Sequence, residues 1–254
     1  MRIALTGGAS GIGAALVAKF KSEGHQVTSF DLIEPEGVDQ WIPVDLADPA
    51  SIDAAVAAAK GPFDALINNA GVPPRQDNAE QVLQINWFGF QRLLDGMLDK
   101  LGEGASIVNT ASRAGAYWQD NLEEVKALQA LDPEQLSSFI AEREMVPARA
   151  YNLSKEAVIV TTLARTQDMT ERGFRMNSVS PAAVSTAILD DFVEAFGGRV
   201  QQNLARVGRA GLPEEVANVI AFLVGPESHW IKGQDITIDG GMSAMALSDG
   251  LGLN

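Results

Sequence analysis

Residues 4–16 read ALTGGASGIGAAL. A short apolar run ends in Thr6, a glycine-rich turn follows, and an alanine- and leucine-rich stretch of helical character begins. Gly7, Gly11 and Gly13 fall where strand gives way to helix. A tight turn and a close backbone approach there leave no room for Cβ atoms, and the free N–H groups of the first helical turn face whatever is bound. The pattern predicts a strand–turn–helix unit that holds a pyrophosphate, with Ser10 and Ile12 in the same loop. Asp31 closes the next apolar run, with Leu32 behind it. A carboxylate in that place accepts hydrogen bonds from adenosine ribose hydroxyls and repels a 2′-phosphate. No lysine or arginine lies between Gly7 and Gly13 or just after Asp31 to offset it, so the cofactor predicted is NAD rather than NADP.

Outward from this turn the apolar pattern alternates. Strand-length runs recur at 3–5, 26–30, 41–44, 65–67, 106–108, 174–179 and 235–238. Helical spacing marks 13–22, 49–59, 78–101, 149–171 and 213–224. Strands that alternate with helices and are apolar along their length predict a parallel sheet covered on both faces. No linker, repeat or low-complexity tract interrupts the chain. The expected fold is α/β: a single-domain Rossmann-type doubly wound parallel sheet over residues 1–254. One segment breaks the rhythm. DNLEEVKALQAL and DPEQLSSFIAERE read as two short helices, forming a two-helix insert over about 117–147. Asp132-Pro133-Glu134-Gln135 offers an N-cap, a proline at the first helical position and a glutamine three residues after the cap. The insert ends just before YNLSK, which places Tyr151 and Lys155 one helical turn apart.

Composition excludes several classes. The net charge of -14 opposes binding to nucleic acid or an anionic membrane, both of which demand a basic face. Without cysteine there is no disulfide, thiolate nucleophile or thiolate-bound metal. His25 and His229 are isolated, so no metal site is expected. No apolar run approaches the ~20 residues of a membrane helix, and MRIALTGG offers no signal-peptide pattern. The expected location is cytoplasmic.

Further motifs follow in order. Thr6 to Gly13 reads TGGASGIG, and Asp45-Leu46 follows the third strand. Asn68-Asn69-Ala70-Gly71 follows the fourth. Asn86 stands in QINWFGF, Ser112 in IVNTASRAG, and RMNSVSP leads to Val184-Ser185-Thr186. In this arrangement the chain resembles the short-chain dehydrogenase/reductase family over nearly its whole length. The resemblance implies that Asp45 and Leu46 contact the adenine. It places Asn69, Ala70, Gly71, Val184 and Thr186 along the cofactor, and makes Asn86, Ser112, Tyr151 and Lys155 catalytic. It also implies an alcohol or ketone substrate, and a homo-dimer or homo-tetramer built on the helices carrying Asn86 and Tyr151. Two features depart from the pattern. Pro181 is followed by Ala182 instead of glycine, and Ser112 stands 39 residues from Tyr151, much farther than in most members. The insert fills that distance, as in the bacterial 3α-hydroxysteroid dehydrogenase/carbonyl reductase branch, and is expected to cover or extend the common interface.

The residues themselves support proton-coupled hydride chemistry. A tyrosine with an ordinary pKa of about 10 is a poor base at neutral pH. The Lys155 ammonium beside it, and an oxidised nicotinamide, both favour the phenolate. The pair also helps to hold the cofactor, because Lys155 can reach the nicotinamide ribose. Ser112 can donate a hydrogen bond to the substrate oxygen, and Asn86 can anchor a water that relays the proton from Lys155. The related enoyl reductases space the tyrosine and lysine more widely, so a carbonyl is expected over a C=C bond. TAILDDFVEAFGGR lies within a substrate lid, about 186–208. Ile188 and Phe192, with Trp118, are candidate walls for an alicyclic, aromatic or steroid-like substrate. Arg113 and Arg199 leave an anionic one open. A non-enzymatic NAD-binding regulator on the same fold is the alternative.

Overall fold

The computed structural model describes residues 1–253, apart from the side chain of Arg199. Strand β1 (Arg2–Thr6) is buried from Ile3 onward, as its unbroken apolar run requires. It lies in parallel between β2 (Gln26–Asp31) and β4 (Phe63–Asn68). β3 (Gln40–Pro43) extends the sheet beyond β2; β5 (Leu101–Thr110), β6 (Arg175–Pro181) and β7 (Asp235–Ile238) extend it beyond β4. The order is β3-β2-β1-β4-β5-β6-β7. Strand order reverses between β1 and β4, and in such sheets ligands bind in the crevice at that point, outside the carboxyl ends of the strands.

Helices cover both faces. α1 (Gly11–Ser22) and α11 (Pro213–Val224) bury Leu16, Phe20, Ile220 and Leu223 against one side. On the other side lie α2 (Pro49–Ala58), α3 (Ala79–Leu83), α4 (Phe90–Met97) and α7 (Pro147–Ala164). They enclose Phe30, Leu66, Trp87, Leu93 and Leu153. Burying each such side chain contributes about 1.5–3 kcal/mol.

The structure refines the predicted elements at three places. The helical run at 78–101 carries a π turn, Gln84–Gly89, between α3 and α4. Gly89 there lies against the main chain of Leu46, so close that a Cβ would come within 2.2 Å of the Leu46 carbonyl oxygen. The run at 149–171 divides into α7 and α8 (Thr166–Glu171), with Arg165 between them. The insert forms α5 (Leu122–Gln129) and α6 (Leu136–Glu142), joined through a 3₁₀ turn, Pro133–Gln135. Asp132 caps that turn by accepting from the Glu134 N–H at 3.0 Å. Val125, Leu128, Leu136 and Phe139 join the main core, with α5 on α7 and α6 on α3. Between β6 and α11 lie α9 (Leu189–Phe196) and α10 (Gly198–Val207); α12 (Met242–Leu251) closes the described chain against α10. Among the described residues no helix is long and apolar enough to cross a membrane.

Candidate active site

The crevice has a floor of bare backbone. A Cβ on Gly13 would lie 1.7 Å from the Gly7 carbonyl oxygen, so α1 can begin directly on the turn only without one. Ser10 caps α1 in extended conformation, and its side chain makes no capping hydrogen bond. The turn is sewn to the segment after β4. The Thr6 hydroxyl accepts from the N–H groups of Asn69 and Ala70, each at 2.9 Å, and the Asn69 amide donates to the Gly7 carbonyl at 3.1 Å. Thr186 closes the other side, its methyl 3.2 Å from where a Gly11 Cβ would stand, and Val184 bridges to Gly211. A glycine floor at a helix N-terminus fits a dinucleotide pyrophosphate.

Asp31 ends β2 and accepts from the N–H groups of Ala9, at 2.9 Å, and Ile33, at 3.2 Å. Its carboxylate therefore braces the glycine turn as well as facing the crevice edge, where Leu32 is exposed. Asp45 accepts from the Ala47 N–H at 2.8 Å and shapes its own turn, while the Leu46 side chain is buried in the core.

Asn86, Ser112, Tyr151 and Lys155 converge from three elements. The Lys155 ammonium donates to the Thr110 carbonyl at 2.9 Å and sits 5.7 Å from the Tyr151 ring centre. Ser112 caps a short 3₁₀ turn after β5 by accepting from the Ala114 N–H at 3.1 Å, and its hydroxyl lies near enough to the Tyr151 phenol to favour the phenolate. Asn86, on the π turn, exchanges both hydrogen bonds with the Val72 backbone, at 2.8 and 3.0 Å. A Cβ on Gly71 would stand 3.1 Å from the Asn86 side-chain oxygen and 3.7 Å from the Lys155 nitrogen, so the two side chains face one point.

Electrostatics at this centre differ from the sequence expectation. Burial pushes the Tyr151 phenol up to about 12, with the Ser112 hydroxyl drawing it partly back. Burial also pushes the Lys155 ammonium down to about 8. Desolvation disfavours the charged form of each, and in the ligand-free site it outweighs the help Lys155 was expected to give the phenolate.

Helix α9 lies over the tyrosine. The Phe192 ring meets the Tyr151 ring edge-on at 5.1 Å, Phe196 stands 6.3 Å away, and the two phenylalanines stack at 6.4 Å. Arg75, in the loop after Gly71, holds Asp191 of α9 through two hydrogen bonds of 3.0 Å. Ile188 is half-buried at the start of α9, and Trp118 packs on the main core. The side chain of Arg199 lies outside the described residues, and Arg113 faces Asp239 at 3.7 Å. Neither Arg75–Asp191 nor the Thr110 carbonyl had a signal in the sequence. The Phe192–Phe196 spacing of one helical turn did signal that both rings share a face.

A family model described as short chain dehydrogenase matches residues 2–123, and a second, described as enoyl-(acyl carrier protein) reductase, matches residues 135–243. Coniferyl-alcohol dehydrogenase of Pseudomonas sp. (strain HR199 / DSM 7063) is 34% identical over 247 residues, 96% of each chain. The chain belongs to the short-chain dehydrogenase family. Among solved structures, the 3-alpha-hydroxysteroid dehydrogenase from Pseudomonas sp. B-0831, complexed with NADH, matches with a TM-score of 0.86 at 34% identity. That alignment covers 97% of this chain and 98% of the other. The 3-alpha-hydroxysteroid dehydrogenase/carbonyl reductase of Comamonas testosteroni is 29% identical over 249 residues, again 96% of each chain. This short-chain dehydrogenase is an oxidoreductase that works with a nicotinamide cofactor on a small molecule.

Proposed function

We propose that the enzyme interconverts a secondary alcohol and a ketone with NAD, on an alicyclic, aromatic or steroid-like substrate, with Tyr151 as acid and base. One observation carries this reading: Tyr151 and Lys155 are buried one helical turn apart against Ser112, under an aromatic lid. The preference for NAD is supported by Asp31, which ends β2 beside the glycine turn with no basic residue next to it in sequence. The apolar substrate is supported by the Phe192 and Phe196 rings against the tyrosine.

Bound nicotinamide supplies the hydride acceptor for oxidation and the donor for reduction. Ser112 holds the carbinol oxygen and stabilises the charge that gathers there. Tyr151 takes the carbinol proton as the hydride leaves, and returns it in the reverse direction. Lys155, fixed by Thr110, keeps a positive charge beside the phenol. The two bonds to Val72 take one Nδ2 hydrogen and one Oδ1 lone pair, so the relay water expected at Asn86 has one amide donor and one amide acceptor left to bind. The enoyl reductase description of the second family model suggests reduction of a C=C bond. The four-residue spacing of Tyr151 and Lys155 favours a carbonyl instead.

Absorbance of NADH with a panel of alcohols that includes coniferyl alcohol and a 3α-hydroxysteroid tests the reading. Turnover is expected with NAD, and much less with NADP. NAD binding without turnover on any alcohol or ketone would favour the regulator instead. Tyr151→Phe is expected to abolish turnover and leave NAD binding largely intact; a near-normal rate overturns the mechanism.

A further inference from the structure

Glu156 directly follows Lys155 and is 1% exposed. A buried carboxylate is costly unless it is paired and hydrogen-bonded, and the chain supplies its partners from two places. Arg149, two turns earlier on α7, donates to both carboxylate oxygens at 2.9 and 2.8 Å. The same guanidinium reaches Glu124 on α5 at 3.1 and 2.6 Å. Asn121, at the start of the insert, donates to Glu156 at 2.8 Å and to the Tyr117 carbonyl at 3.2 Å. At the far end of α5, Gln129 donates to Thr161 of α7 at 3.0 Å.

The same stretch of α7 carries the Ser112 turn. A Cβ on Gly115 would lie 2.8 Å from the Lys155 carbonyl carbon and 2.9 Å from the Glu156 nitrogen, so the turn rests on the backbone of α7. The Gly115 N–H donates to the Ser112 carbonyl at 2.9 Å. Ser112, Gly115, Tyr117, Asn121 and Glu156 thus form one continuous path from the end of β5 through the insert and back to the helix of Tyr151.

We propose that Glu156 is a positioning residue. Held by Arg149 and Asn121, with Glu124 sharing the Arg149 guanidinium, it clamps the insert to α7 and fixes Tyr151 and Lys155 against Ser112. It touches no reacting atom. The inference rests on the roles proposed above for Tyr151, Lys155 and Ser112.

Two substitutions separate positioning from simpler effects. Asn121→Ala removes a clamp without changing charge. Glu156→Gln removes a negative charge; acting through its field alone, that change favours the phenolate and moves the pH profile of alcohol oxidation to lower pH. Loosening the Ser112 contact acts the other way, because that hydroxyl holds the phenol down. Both variants are expected to lower kcat by about tenfold, since small misplacements of reacting groups are costly. KM for NAD stays near the wild-type value, and the profile moves to higher pH in both. Lys126→Gln, which breaks only an exposed pair with Glu123 on the same helix, is expected to leave kcat unchanged. An unchanged kcat and profile with a lower Tm makes the network a brace only and overturns the proposal. So does a shift to lower pH in Glu156→Gln with Asn121→Ala like wild type. If Glu156→Gln does not fold, Asn121→Ala decides alone. Full turnover in Tyr151→Phe would instead remove the reading beneath the proposal.

Discussion

Lys155 shows most directly how burial sets chemistry. Its ammonium, ordinarily at 10.5, stands at about 8 in the fold. Between those values the unfolded chain binds more protons than the folded one, so stability rises as pH climbs from about 8 toward 10.5 and is lost as pH falls through 8. Tyr151, raised from 10.0 to about 12, has the opposite effect only above pH 10. Thermal melts of the ligand-free protein are therefore expected to show wild type gaining on Lys155→Met between pH 8 and pH 10. Parallel curves would mean the lysine is not desolvated as described. The motif residues Gly7, Gly13, Asp31, Ser112 and Tyr151 were legible one by one, because their backbone and charge requirements are local. The direction of the tyrosine's shift was not. It comes from burial in the assembled core, much of which, Phe192 included, is far from Tyr151 in the chain.

At the scale of elements, periodicity recovered the strands, the helices from α1 to α8, and α11, including both insert helices that Asp132 and Pro133 announce; α9, α10 and α12 were not among the helical runs. The π turn at Gln84–Gly89 left no trace in the pattern, since its neighbour Leu46 comes from another part of the chain. The Arg75–Asp191 pair was equally silent: two exposed charges separated by 116 residues in sequence. That pair and the Phe192 ring are what draw α9 over Tyr151. An exposed ion pair contributes at most about 1 kcal/mol, which still changes the local opening of a short helix severalfold. Arg75→Gln is accordingly expected to speed hydrogen exchange in Leu189–Phe196 severalfold while Pro147–Ala164 keeps its protection. Added salt should act in the same direction through screening. Unaltered exchange in α9 would show that the phenylalanines alone hold it.

The sheet of the whole molecule was readable from the alternation of apolar runs, and the nucleotide crevice from the turn at its centre. The position of the insert was not, because where its apolar faces dock depends on the assembled helices. The insert covers α3 and α7 from within the chain, the face expected to meet a second subunit. A chain lacking residues 119–144 is expected to differ from wild type in the number of subunits found by light scattering; the same oligomer in both would mean the covered face plays no part in assembly. The strand order β3-β2-β1-β4-β5-β6-β7 has a further consequence, for synthesis. Each strand, as it leaves the ribosome, meets an edge that is already exposed: β2 and β3 add on one side of β1, then β4 to β7 on the other. None has to be threaded between two paired neighbours. The glycine turn, Asp31 and the Asn69 segment are all made before Ser112, and Ser112 before Tyr151. A growing chain can therefore form the glycine turn and its Asn69 brace while the proton-transfer residues are still untranslated, and Thr186 closes the other side last.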